Sequence, residues 1–182
     1  MICFDRASDA ISAIRSVVSW SSEGELIEID GSVDPDQAGL IRKYGIFGER
    51  AKNHAEAFED VRLNQILCEL HISKAAGRAI GELLRVRHTV LVSAHMLIRG
   101  GLAEATLFRT EDPVRYAEAL RFHQKCEADI WEMRNPNGIP LAPDQLSRDM
   151  DKAKADLELE CRPLLRALTF REFIWPRQPT DS

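Results

Sequence analysis

The sequence predicts an all-α fold: a single-domain bundle of about six to seven helices around a central apolar helix. Three observations carry this. Apolar residues recur at three- and four-residue spacing through most of the 182 residues, which is the signature of amphipathic helices. Asp34-Pro35 and Asp112-Pro113 each place a capping carboxylate before a proline at the first helical position. The most apolar segment, Ile80 to Ile98, reads as a helix apolar almost all round, and such a helix belongs at the centre of a bundle.

The first helix is expected to start at Asp5 or Ser8, with Ile11, Ile14, Val17 and Val18 on one face, and to end at Ser21-Ser22 and Gly24. Leu26 to Ile29 reads as extended chain before the Asp30-Gly31 turn. Pro35 to Tyr44 reads as a short helix stopped by Gly45. From Glu49 to about Leu70, the residues Ala55, Phe58, Val61, Leu63, Ile66, Leu67 and Leu70 keep helical spacing with charges expected on the opposite face. The central helix follows, from near Ser73 to about Arg109. His71-Ile72-Ser73 is a weak break, and Gly100-Gly101 marks either a kink or a close helix approach. Pro113 to about Arg134 forms another helix, and the Pro/Asn/Gly-rich segment 135–143 forms a defined loop. A helix from Pro143-Asp144 reaches Leu159 or Glu160, where Pro163 either kinks it or begins a last helix to Trp175. One helical domain is thus expected over 1–175, with a disordered tail at 176–182.

A net charge of −5 argues against non-specific attraction to nucleic acid or to anionic membranes. The longest nearly uncharged run, Thr89 to Ile98, has ten residues, against roughly 20 needed to span a bilayer. Cys3, Cys68, Cys126 and Cys161 are scattered without close pairs, and Met1 to Arg6 does not read as the basic start of a secretory leader, so secretion is not expected. They read as buried free thiols in a cytoplasmic protein.

Basic groups thread the apolar segment. At about 100° per residue, Arg85, His88, His95 and Arg99 fall in a stripe roughly 80° wide. If the helix is central, the stripe is either a neutralised core network or a site that holds an anion, with Glu104 as a carboxylate partner. His88 and His95 also have the intrinsic pKa for proton transfer. A metal site would need Cys68-x-x-His71 on one helix to meet His123-x-x-Cys126 on another. The Glu-x-x-His pairs of di-metal bundles do not occur, nor do a nucleophile elbow, a phosphate loop or a dinucleotide turn. No catalytic residue and no cofactor is assigned.

The pairing of Arg and His on one helix invites comparison with HEPN-type RNases, which carry Arg, four to six residues, then His. Here seven residues separate Arg87 from His95, and Arg121-Phe-His123 is too close. Arg99-Gly-Gly-Leu-Ala-Glu104, Asp112-Pro-Val-Arg-Tyr116, Pro140-Leu-Ala-Pro143 and Trp175 resemble an uncharacterised family of bacterial all-helical domains over about residues 85–175. The resemblance implies a bundle and a bacterial or phage source, and no activity. The family's Arg and Glu stand one turn apart, whereas Arg99 and Glu104 are five residues apart.

The leading expectation is therefore a cytoplasmic, non-catalytic protein-interaction or regulatory domain, of a kind suited to bacterial or phage defence or counter-defence. It would have a protein partner, with a homodimer as the commonest arrangement. The competing expectation is an anion-, nucleotide- or RNA-binding domain, a diverged RNase among them, that uses the Arg/His stripe.

Overall fold

A computed structural model describes residues 2–16, 27–100, 109, 112–131 and 144–174, with the backbone alone at 165 and 167–174. Six helices account for nearly all of them: α1 (Ile2–Arg15), α2 (Pro35–Asn53), α3 (Ala55–His71), α4 (Lys74–Ile98), α5 (Pro113–Ile130) and α6 (Gln145–Ile174). No strand occurs among the described residues. The chain is an all-α bundle, as its periodicity predicts, and α4 touches all five other helices.

The caps explain most of the boundaries. The Asp34 carboxylate accepts from the backbone N–H groups of Asp36 and Gln37 ahead of Pro35, and Asp112 accepts from Arg115 ahead of Pro113. Ser73 caps α4 by accepting from Ala76 N–H at 3.0 Å, and its own hydroxyl donates to Glu160 of α6 at 2.5 Å. At the other end of α4, Gly100 takes φ +74°, the left-handed conformation that stops a helix without side-chain strain. Gly101, the other half of the expected kink or close approach, lies outside the described residues. Gln37 of α2 donates to the orphan carbonyl of Ile98 at 2.7 Å.

Several boundaries differ from expectation. α1 begins at Ile2, and the central helix ends at Ile98, well before Arg109. Gly45 does not end a helix: α2 runs through it to Asn53, and the break falls at His54. The reason is packing, since a Cβ at Gly45 would lie 3.1 Å from Ile27 Cδ1. Gly45 admits Ile27 from the segment that precedes α2, and burial on that face offsets a helix-interior cost of about 1 kcal/mol. Pro163 neither breaks α6 nor starts a new helix. The tail at 176–182 and the loop at 135–143 lie outside the described residues.

α3 and α4 form an antiparallel pair. Gln65 lies against Gly81, Glu69 against Gly77, and Arg87 stacks over Phe58 at 4.7 Å, so residue numbers rise on one helix as they fall on the other. α6 runs back along α4, with Asp149 joined to Arg85 at 2.6 Å and Glu160 to Ser73. The core is the face of α4 made by Ala76, Ala79, Ile80, Leu83, Val86, Val90, Ala94 and Leu97. Around it pack Phe4, Ile11 and Ile14 of α1, Tyr44 and Phe47 of α2, Phe58 and Val61 of α3, Ile130 of α5, and Leu146, Met150 and Leu157 of α6.

Candidate functional site

The Arg/His stripe faces solvent. Arg85, His88, His95 and Arg99 are all exposed, and they lie opposite the buried row from Ala76 to Leu97. α4 is therefore an amphipathic helix, and the stripe is its polar face rather than a core network. Val92 and Met96, 44% and 40% exposed, share that face and made the helix read as apolar all round. Arg85 donates to Glu82 at 2.6 Å and to Asp149 of α6 at 2.6 Å, so its charge is matched by two carboxylates. The cleft between α4 and α6 is lined by Arg78, Glu82, Asp149, Lys152, Asp156 and Glu160 among others, and it excludes His88, His95 and Arg99. Glu104 lies outside the described residues.

The expected metal ligands do not meet. Cys68 and His71 sit near the start of α4, since neighbouring Glu69 lies against Gly77. Cys126 sits beside Ser93, some 16 residues further along α4, or about 24 Å at 1.5 Å per residue. Among the described residues no group of three or more His, Cys, Asp or Glu side chains could hold a metal ion. All four cysteines are free. Only Cys126 is fully buried, against the expectation that all four would be, because Cys3, Cys68 and Cys161 lie at the edge of the packing. Burial pushes the Cys3, Cys68 and Cys126 thiols up, away from the thiolate that acts as nucleophile or ligand.

An internal polar network, which motifs and spacing do not reveal, ties the helices together. Arg15, 1% exposed, closes α1 and donates to both oxygens of Asp144 at 3.3 and 2.5 Å, to Asp129 O at 3.1 Å and to Trp131 O at 3.2 Å. One guanidinium thereby ties α1 to the end of α5 and the N-cap of α6. Burial raises the Asp144 carboxyl, but hydrogen bonds from Arg15 and the Ser147 N–H outweigh it and hold it below its ordinary value. Arg50 donates to the Ile14 and Ser16 carbonyls at 3.0 and 2.5 Å and so caps the C-terminus of α1. On α5, Glu127 accepts from Tyr44 at 2.5 Å and Lys43 at 2.9 Å. There too, burial is outweighed by the two donors and the carboxyl stays low. Ser93 donates to Asp129 at 3.0 Å, but Ser93 is buried and cannot meet a substrate. A signal existed for Arg15 alone: it stands four residues after Ile11, at the next position of the apolar spacing.

The outward side of α3 is the unusual surface. Ala57, Phe58 and Val61 bury its inner face. Leu63, Ile66, Leu67 and Leu70, at i, i+3, i+4 and i+7, lie on the opposite side and are 58%, 51%, 42% and 72% exposed. Ile2 of α1, 80% exposed, shares a shallow cleft with Asp60 and Asn64, within a turn of Leu63 and Leu67. α3 is thus apolar on two faces, and the bundle covers one. The five side chains leave on the order of 500 Å² of apolar surface in solvent, near the upper end of the roughly 300–600 Å² of the largest patch on a typical monomer, which is often functional. Its rim is charged, with Arg62 and Glu69 along one side, and Asp60 held by Arg6 at 3.0 Å along the other.

No helix of the described residues is long and apolar enough to cross a membrane. Comparison with protein-family models, with curated proteins and with solved structures returns no match for this chain.

Proposed function

We propose that this chain is a non-catalytic protein-interaction domain that docks through the outward face of α3. The observation that carries the reading is the exposed row Leu63, Ile66, Leu67 and Leu70, at the spacing by which one helix presents a seam to another. Fully burying a leucine or isoleucine contributes about 1.5–3 kcal/mol, so a helix laid on this row has several kcal/mol of apolar contact to gain. The polar groups support the same reading. The carboxylates held below their ordinary values belong to cross-helix ties, Asp144 to Arg15 and Glu127 to Tyr44 and Lys43, and these ties fix the scaffold. A cytoplasmic setting is part of the proposal and fits four unpaired thiols.

Site-specific photo-crosslinking in cells tests it. A photoreactive aromatic residue in place of Leu70 is expected to give a discrete cross-linked protein product, and the same group in place of exposed Ala128 on α5 is expected to give none. Adding Ile66→Asp should abolish the product. Equal labelling from both positions, or none from position 70, would refute the docking face.

A further inference from the structure

Resting on that reading, we infer that the occupant of the α3 face is a second copy of this chain, paired antiparallel about a two-fold axis that passes between Ile66 and Leu67. The apolar row is self-complementary under that operation. Leu63 meets Leu70 of the second copy, and Ile66 meets its Leu67, so every apolar side chain of the row has an apolar neighbour. This is the isologous arrangement a two-fold dimer requires.

The charges on α3 choose the direction. Along the flank facing α4, Arg62 stands near one end of the row and Glu69 near the other, both exposed. Antiparallel pairing brings each Arg62 towards Glu69 of the other copy, and the two-fold axis makes that contact twice. Beyond the row, Glu56 and Glu59 continue the outward face towards the start of α3, while exposed Lys74 lies past its end. The same operation sets the acidic start of α3 against Lys74 of the second copy. A parallel pairing would lay Glu56 and Glu59 beside their own copies and repel. The area agrees as well. The four side chains of the row leave on the order of 400 Å² of apolar surface per copy, and at the roughly 65% apolar share of a homodimer interface this corresponds to about 600 Å² per partner, the lower end of the standard size.

Sedimentation equilibrium of the full chain tests this, with circular dichroism to confirm that each variant keeps its helices. The wild type is expected to dimerise in the micromolar range, and Ile66→Asp to be a monomer. Arg62→Glu and Glu69→Arg should each weaken the dimer roughly tenfold, and the double variant Arg62→Glu/Glu69→Arg should return to near the wild-type constant. That rescue distinguishes self-pairing from burial of an apolar patch in any other protein. A monomeric wild type whose position-70 cross-link joins a different protein would overturn the second copy and leave the docking face standing. A monomer with no cross-link would overturn both. A dimer indifferent to Ile66→Asp would place the interface elsewhere and refute the inference.

Discussion

At the scale of the residue, Arg15 ties three helices together through one guanidinium. Its guanidinium is buried against Asp144 and two backbone carbonyls, so truncation leaves the partly buried carboxylate without its cation. Arg15→Ala is expected to lower stability by about 3 kcal/mol, the low end for breaking a buried ion pair because Asp144 keeps some solvent contact. Urea unfolding checks this. The same pair sets a pH dependence. The Asp144 carboxyl is lower in the folded state than its unfolded value of about 3.9. Its contribution is complete above that value and is lost as pH falls through the depressed folded one. Glu127, also lowered, adds a second contribution of the same sign. Stability should therefore fall steeply below about pH 4, and Asp144→Asn, which keeps a capping side chain, should flatten that acid limb. A variant with the wild-type slope would show that the pair does not govern it.

At the scale of the element, spacing and caps were legible, and contacts between helices were not. The Asp-Pro signatures marked the starts of α2 and α5 correctly, because a capping carboxylate and a proline act on their own backbone. Gly45 misled, because its role is to admit Ile27, a neighbour that local sequence does not reveal. Gly77 and Gly81 make the same point on α4. A Cβ at Gly81 would meet only the amide end of Gln65, the tip of a flexible side chain held by one long bond to Glu69 at 3.4 Å, whereas one at Gly77 would run into Glu69 Cγ. Gly81→Ala is accordingly expected to stabilise by up to about 1 kcal/mol through helix propensity, and Gly77→Ala to give no gain. Thermal melts of the two variants compare them directly. Ser73→Ala removes both the α4 cap and the tie to Glu160, and should cost about 1–2 kcal/mol.

At the scale of the whole molecule, α4 organises the bundle and α3 presents it. Leu83 is fully buried at the centre of α4, so Leu83→Ala should cost about 2–5 kcal/mol in global stability. Leu70→Ser on the outward face should change the stability of the dilute monomer by less than about 0.5 kcal/mol, although the two residues are equally apolar. Chemical denaturation below the association range measures both. A large loss at Leu70 would mean that its side chain supports the fold.

Sequence alone determined that the chain is helical, where two of its helices begin, and that the segment from Ile80 to Ile98 is central. Those properties follow from periodicity and from groups that bond to their own backbone. The tertiary structure decided which side of each helix is covered. Periodicity reads the apolar residues of α3 as one pattern with charges opposite, although Leu63, Ile66, Leu67 and Leu70 form a second face, and it places Arg85, His88, His95 and Arg99 on one stripe. Only the placement of neighbouring helices shows that the second apolar face is bare and that the basic stripe looks outward.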